Sequence, residues 1–136
     1  PTEYKGFDLK RVNFGTGVES TTAIGGNKLS NAPTHTLFLG AQYEYSINTK
    51  LKAIIRGEIR NLGKQYTDIQ NQIEQPSYTL LNSRIGLTYG KYSLFIWGQN
   101  LTNERYLAYG NPDSSFGRQS RMAQPRTFGL TLSAKF

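Results

Sequence analysis

The sequence contains no cysteine and only one histidine, His35, among its 136 residues. A disulfide framework and a cysteine-ligated metal are therefore excluded, and a single histidine does not make a metal site. The chain is rich in serine and threonine, but His35 has no identifiable carboxylate partner with which to activate a hydroxyl group. We therefore expect neither a cofactor nor an enzymatic activity.

Long apolar runs are also missing. No stretch of about 18 apolar residues occurs, which excludes a transmembrane helix. The first ten residues carry no apolar segment of the signal-peptide type, so an envelope protein would be represented here by a mature product or an internal fragment. The net charge of +7 fits an anionic partner, and the placement of the charges has to decide which kind.

The sequence is rich in aromatic residues and glycine, with nine tyrosines and fourteen glycines. This composition is typical of strands and turns. Apolar and polar side chains alternate with a period of two in most of five segments, which predicts strands. In residues 51–60 one face is aliphatic apart from a glycine, and four of the five residues on the other face are charged. The five predicted strands span residues 34–45, 51–60, 78–89, 92–100 and 127–136. The fourth is apolar on both faces, so the alternation does not orient it.

The connections between these strands alternate strictly between short and long. Residues 46–50 and 90–91 are short connections, whereas residues 6–33, 62–77 and 101–125 are long and mostly polar. Outer-membrane barrels have tight periplasmic turns and long extracellular loops, and their strands need about 9–11 residues to cross the bilayer.

The pattern predicts an all-β fold of antiparallel transmembrane β-barrel strands in a bacterial outer membrane. Apolar faces would meet lipid and charged faces would meet the lumen, where arginine avoids a penalty of roughly 2–4 kcal/mol. We expect residues 1–33 to be an extracellular loop segment and residues 34–136 to be barrel strands. Five strands are too few to close a barrel, since the smallest have about 8, so upstream residues or identical copies must supply the others. We expect the former.

Four segments of the chain resemble the C-terminal region of TonB-dependent receptors. They are LSNAPTHT at 29–36, PSYTLLNSRIGL at 76–87, WGQNLTNERY at 97–106, and the closing segment that begins PRTFGL at 125 and ends in Phe136. The resemblance covers about residues 27–136. It implies the last five strands of a 22-stranded barrel that encloses an N-terminal plug and imports an iron–siderophore complex, haem, cobalamin or an oligosaccharide. The plug and the segment that contacts TonB would lie at the N-terminus, and neither is present in these residues.

The resemblance also suggests roles for side chains of the closing strand. The candidate signal for the barrel-assembly machinery consists of Phe128, Leu130, Leu132 and Phe136. The alternative is that Phe136 is an ordinary strand residue.

Four tyrosines lie at the short-turn ends of their strands, namely Tyr43, Tyr45, Tyr89 and Tyr92. They predict either a periplasmic aromatic girdle or cross-strand aromatic packing, and their clustering favours the girdle.

The last long connection is basic and aromatic. Its candidate ligand residues are Arg105, Tyr106, Tyr109, Phe116, Arg118 and Arg121. One interpretation is a solvated loop whose arginines meet lipopolysaccharide phosphates, and the other is contact with an anionic ligand. The expected partners are the remaining barrel and plug, outer-membrane lipid and lipopolysaccharide, TonB through the absent N-terminal region, and the assembly machinery, with no nucleic acid.

Two other classes of protein remain possible on the sequence alone. An oligomeric pore or autotransporter would complete its barrel from several copies, but trimeric autotransporters need an upstream helical segment that these residues lack. A soluble β-barrel that binds a small ligand would need the face of Leu51, Ala53 and Ile55 as its core. That hypothesis leaves the strand lengths and the alternating connections unexplained.

Overall fold

The computed structural model describes residues 3–111 and 119–135, which form eleven β-strands and no helix. Accordingly, no helix suited to crossing a membrane is present in those residues. The five long strands are β3 (Thr36–Ser46), β4 (Leu51–Leu62), β7 (Tyr78–Tyr89), β8 (Tyr92–Gln99) and β11 (Thr127–Ala134). The six short ones are β1 (Asp8–Val12), β2 (Glu19–Ala23), β5 (Gln65–Tyr66), β6 (Glu74–Gln75), β9 (Leu107–Asn111) and β10 (Gln119–Met122).

The long strands confirm the five predicted segments to within two residues at each end. The short strands were not predicted, because they lie in the polar connections and are too brief to show a period. They pair as three antiparallel hairpins, β1 with β2, β5 with β6, and β9 with β10. The long connections are therefore folded hairpins in part, rather than irregular loops.

The long strands form one antiparallel sheet in the order β11-β8-β7-β4-β3, in which sequence neighbours are also neighbours in space. Short turns join β3 to β4 and β7 to β8 at one end, which we call the short-turn end. The opposite end, where the hairpins lie, is the long-loop end. Gly90 has φ of +55° in the tighter turn, a conformation that favours glycine. In the other turn the Asn48 side chain accepts hydrogen bonds from the amides of Lys50 and Leu51, both at 2.9 Å.

The register places aliphatic side chains in rows across one side of the sheet, which we call the apolar face. Ile55 is opposite Ile85, Ile85 is opposite Ile96, and Ile96 is opposite Leu130. Leu130 is 66% exposed and Leu132 is 73% exposed. A contiguous exposed aliphatic surface of this kind needs an apolar environment, which lipid supplies for a barrel strand.

The other side of the sheet is the charged face, and it carries the row Gln42, Arg56, Arg84 and Trp97. The Trp97 indole donates a hydrogen bond of 3.1 Å to the Thr131 hydroxyl. This register settles the orientation of β8, which the alternation left open. Its aromatic residues Phe95 and Trp97 lie on the charged face, and Leu94 and Ile96 lie on the apolar face.

The buried residues of the described chain lie at the long-loop end, in the connections and at the adjoining ends of β4, β7 and β8. The buried apolar side chains are Ile24, Ile73, Tyr78 and Leu62, which are 1%, 4%, 8% and 9% exposed. Buried polar residues accompany them, namely Thr67, Asp68, Gln75 and Asn100. Packing among protein side chains therefore fixes the connections, whereas backbone pairing fixes the sheet.

Candidate functional site

The connection between β5 and β6 is organised around one buried carboxylate. Asp68 Oδ2 accepts hydrogen bonds from the amides of Gln70 and Gln72, both at 3.0 Å, and Oδ1 accepts one of 2.7 Å from the Ile73 amide. Aspartate favours such local bonding, and an ionised acceptor strengthens each bond. Three backbone donors that would otherwise need water are satisfied, so residues 68–73 form a closed turn.

This turn is joined to the first long connection by reciprocal hydrogen bonds. The Lys28 amide donates to Asn71 Oδ1 at 2.7 Å, and Asn71 Nδ2 donates to the Lys28 carbonyl at 2.9 Å. Asn27 Nδ2 donates to the Ile69 carbonyl at 3.0 Å. Asn71 has φ of +56°, which asparagine tolerates better than most residues. The first and second connections are therefore held together through asparagine side chains.

The third connection packs against the second. Gln75 Oε1 accepts a hydrogen bond of 2.6 Å from the Leu107 amide. Gly110 faces the turn so closely that a Cβ there would lie 2.6 Å from Thr67 Oγ1 and 3.0 Å from Ile73. Strand β9 can approach only because this residue is glycine. We call residues 24–28, 67–78 and 100–110 together the loop cap.

The asparagines of the segment Asn100-Leu-Thr-Asn103 connect the end of β8 to the start of β11. The buried Asn100 accepts from the Glu104 amide at 2.8 Å and donates to the carbonyls of Glu104 and Gln124 at 2.9 and 3.2 Å. Asn103 Oδ1 accepts from the Arg126 amide at 3.1 Å. Both asparagines have positive φ, of 49° and 56°. In this chain the segment therefore has a structural role as a side-chain clamp.

The charged face carries an open basin of about 530 Å³, which is lined in part by Arg56, Glu58, Arg84 and Phe95. Arg56 Nη2 lies 2.5 Å from Glu58 Oε1, so this arginine has a carboxylate partner. Arg84 lies directly opposite Arg56 in the register, and its guanidinium lies 5.3 Å from the centre of the Phe95 ring. Two adjacent guanidinium groups with one carboxylate give the basin a positive character suited to anionic groups.

An exposed ion pair lies beside hairpin β5–β6, with Lys64 Nζ 2.7 Å from Glu74 Oε2. The hydrogen bond to Glu74 raises the pKa of Lys64 above its ordinary value of 10.5. The same bond lowers the pKa of Glu74 below 4.5. Both groups therefore stay charged throughout the neutral range.

The structure brings some of the predicted ligand residues together. Tyr109 and Arg121 face each other in the register of β9 and β10, and both are exposed. Arg105 is exposed in the segment that precedes β9. The Tyr106 ring is instead half-buried and stacks on Tyr78. Phe116 and Arg118 lie outside the described residues, and ligand contact by this set stays a prediction.

Three of the four candidate assembly residues share one surface. Phe128, Leu130 and Leu132 all lie on the apolar face of β11 and are 63–73% exposed, whereas Phe136 lies outside the described residues. The four tyrosines at the short-turn end are 52–64% exposed on the same face. Tyr89 and Tyr92 are direct cross-strand partners. Their arrangement fits both the girdle and the packing interpretations.

Several residues that build the loop cap were not singled out from the sequence. Asp68 and Asn71 lie in a run of polar residues between two strands, which is a recognised signal for side-chain-to-backbone turns. That signal predicts a local turn. The bonds of Asn71 to Lys28, and the bond of Gln75 to Leu107, join positions that are distant in the chain and leave no local pattern.

A family model described as TonB dependent receptor-like, beta-barrel matches residues 3–101. This chain belongs to the TonB-dependent receptor family. Of the three classes of protein that the sequence allowed, the match supports the receptor. Together with the antiparallel sheet, it confirms that this receptor segment is part of an outer-membrane β-barrel.

Particular relatives agree with the family assignment. The receptor segment is 30% identical, over 112 residues, to the ferrioxamine receptor of Yersinia enterocolitica, covering 76% of this chain and 14% of the relative. Among solved structures it resembles the ferric yersiniabactin uptake receptor of Yersinia pestis, with a TM-score of 0.76 and 21% identity over 85% of this chain and 18% of that one. It also resembles the ferric preacinetobactin receptor of Acinetobacter baumannii, with a TM-score of 0.59 and 21% identity over 83% of this chain and 16% of that one. The segment therefore spans less than a fifth of the length of each.

Proposed function

We propose that the receptor to which this segment belongs imports an iron–siderophore complex across the outer membrane, using energy that reaches it through TonB. Family membership is the observation that carries the proposal. The relatives are named for ferrioxamine, ferric yersiniabactin and ferric preacinetobactin, which favours a siderophore over haem, cobalamin or an oligosaccharide. The role is transport, and we assign no catalytic step to any side chain.

In this proposal the long-loop end faces the cell exterior and the short-turn end faces the periplasm. Upstream strands and a plug complete the barrel, and the apolar face contacts lipid. Residues 1–33 belong to an extracellular connection. The exposed apolar residues of β11, Phe128, Leu130 and Leu132, form the recognition signal for the barrel-assembly machinery together with Phe136, and no nucleic acid takes part.

The loop cap supports a receptor role because contacts with the second connection hold the exposed residues of the third connection in place. Tyr109 and Arg121 are cross-strand partners in the hairpin β9–β10. Gly110 of the same hairpin packs against Thr67 and Ile73. An exposed ring beside a guanidinium suits stacking on, and charge pairing with, an anionic ligand. Lipopolysaccharide phosphates are the alternative partner for the same arginine.

The test is uptake of radioactive iron by iron-starved cells of the source bacterium, with and without the full-length receptor gene. The three ferric siderophores named above are supplied one at a time, and labelled cyanocobalamin is the control cargo. We expect uptake of at least one ferric siderophore to fall to background in the deletion strain and to return on complementation, with cobalamin uptake unchanged. Loss of cobalamin uptake, or unchanged uptake of every siderophore, would contradict the proposal.

One substitution distinguishes the two candidate partners of the third connection. If Arg121 contacts the ligand, Arg121→Gln weakens ferric-siderophore binding to cells and leaves lipopolysaccharide co-purification unchanged. If Arg121 contacts lipopolysaccharide, the reverse result is expected.

A further inference from the structure

Half of the lysines of the chain, four of eight, lie at the short-turn end of the sheet, at positions 50, 52, 91 and 135. Backbone hydrogen bonds hold the strand ends that carry them side by side. The Gly90 amide donates to the Lys50 carbonyl at 3.1 Å, and the Lys135 amide donates to the Lys91 carbonyl at 3.0 Å. Lys52 follows Lys50 by two residues on β4. These side chains are therefore gathered by the pairing of the sheet.

The four lysines line one groove of about 530 Å³. The residues Thr88, Ser93 and Ser133 also line it, and Phe95 forms part of its wall. Among the described residues, no carboxylate lines this groove. Glu44, on the charged face of β3, does not line the groove. It is paired in the register with Ile54 and accepts a hydrogen bond of 2.7 Å from Gln42. Ammonium and hydroxyl groups are hydrogen-bond donors, so the lining suits an acidic occupant.

The groove opens on the charged face and not toward lipid. Lys52 is opposite Thr88, Thr88 is opposite Ser93, and Ser93 is opposite Ser133, which makes one row on that face. Of the four exposed tyrosines at the same end, Tyr92 also lines the groove, whereas Tyr43, Tyr45 and Tyr89 do not. The row from Lys52 to Ser133 therefore lies on the side of the sheet opposite the aliphatic rows.

The spacing of the lysines favours a chain of carboxylates over a single small anion. Lys52 is on β4 and Lys135 follows β11, three strands away in the order of the sheet. At about 4.8 Å per strand, the two backbones are separated by roughly 14 Å. A single phosphate would occupy only part of a row of that length, whereas about four extended residues, at ~3.3 Å each, cover the whole distance.

We propose that this groove binds a carboxylate-rich polypeptide segment at the periplasmic mouth of the barrel, through Lys50, Lys52 and Lys135. The location in the periplasm rests on the orientation given by the proposed function. The binding chemistry rests on the lysine ammonium groups and does not depend on that orientation. Such a site would let an acidic segment dock on the barrel wall from inside.

The experiment uses the full-length receptor in detergent and a fluorescein-labelled octaglutamate peptide, with binding followed by anisotropy at low salt. The triple variant K50Q/K52Q/K135Q should weaken binding at least tenfold, because three of the cations that face the peptide are removed. The matched control K5Q/K10Q/K28Q removes the same charge from residues 5–28, none of which line the groove, and should change the affinity less than twofold. Circular dichroism checks that both variants keep the β-structure of the parent.

Equal peptide affinity in the parent and the K50Q/K52Q/K135Q variant would overturn the proposal. So would displacement of the peptide by an equimolar concentration of inorganic phosphate, because the groove would then prefer a small anion. Siderophore uptake, measured separately, reports on the proposed function. If siderophore uptake fails but peptide binding still depends on the three lysines, only the importer assignment is contradicted. If siderophore uptake is normal but peptide binding does not depend on the lysines, only the proposed groove is contradicted.

Discussion

Tyr78 and Tyr106 stack face to face, with ring centroids 4.2 Å apart and ring planes inclined by 15°. Tyr78 is the first residue of β7, and Tyr106 immediately precedes β9. The stack therefore anchors the third long connection to a strand of the barrel wall. It lies next to the hydrogen bond between Gln75 and the Leu107 amide, so a ring contact and a polar contact hold the same junction.

The first prediction concerns this stack. Tyr106→Ala in the full-length receptor should loosen the junction by more than about 0.5–1.5 kcal/mol, since the buried ring area is lost as well as the ring–ring term. Hydrogen exchange of the Leu107 amide, which donates to Gln75, should therefore become faster. Tyr106→Phe keeps the ring and should exchange like the parent. Tyr109→Ala removes an exposed ring from the same hairpin and serves as the control, and equal acceleration in that variant would contradict the role of the stack.

The second prediction concerns the carboxylate that closes the β5–β6 turn. Asp68→Ala leaves three amides without their acceptor, at about 1–3 kcal/mol for each that stays buried. We expect the turn to open, with faster hydrogen exchange at Gln70, Gln72 and Ile73 and new protease cleavage within it. Asp68→Asn keeps one acceptor oxygen and should lie between the parent and Asp68→Ala. Asp8→Ala, at an exposed position of β1, should leave exchange in the turn unchanged.

The third prediction is the pH dependence of the Lys64–Glu74 pair. The pKa of Glu74 is lowered in the folded state, so its contribution is fully present above 4.5 and is lost as the pH falls through the folded value. The pKa of Lys64 is raised, so its contribution is fully present below 10.5 and is lost as the pH rises through the folded value. The protease resistance of the parent relative to Glu74→Gln should therefore be greatest between these limits. A difference that does not shrink in acid would contradict the assignment.

The alternating pattern was sufficient to predict four of the five long strands, because lipid on one side and an aqueous or protein-filled lumen on the other impose a period of two. It could not orient β8, whose lumen-side residues are aromatic. Phe95 is accommodated there by the Arg84 guanidinium, and Trp97 by a hydrogen bond to Thr131. The partners that make those rings suitable for the charged face lie on other strands.

Composition identified the third connection as a candidate ligand surface, but it could not assign each side chain to a role. Tyr106 and Tyr109 are three residues apart in one aromatic, basic segment, yet one is stacked inward and the other is exposed. The difference comes from Tyr78 and from the approach allowed at Gly110, both of which are tertiary features. The loop cap could not be predicted either, because the asparagine and glutamine hydrogen bonds that close it join connections that are separate in the sequence.

The final prediction tests the two faces of the barrel wall with adjacent residues. Ile54 and Ile55 are neighbours on β4 at the same depth, and the register puts Ile55 on the apolar face and Ile54 opposite Glu44 on the charged face. Ile55→Arg should destabilise the full-length receptor by roughly 2–4 kcal/mol, if it lies near the bilayer midplane, because a guanidinium would be placed in lipid. Ile54→Arg gains Glu44 as a neighbour and should cost much less. Urea unfolding in lipid vesicles measures both, and equal destabilisation would mean that the apolar face does not contact lipid.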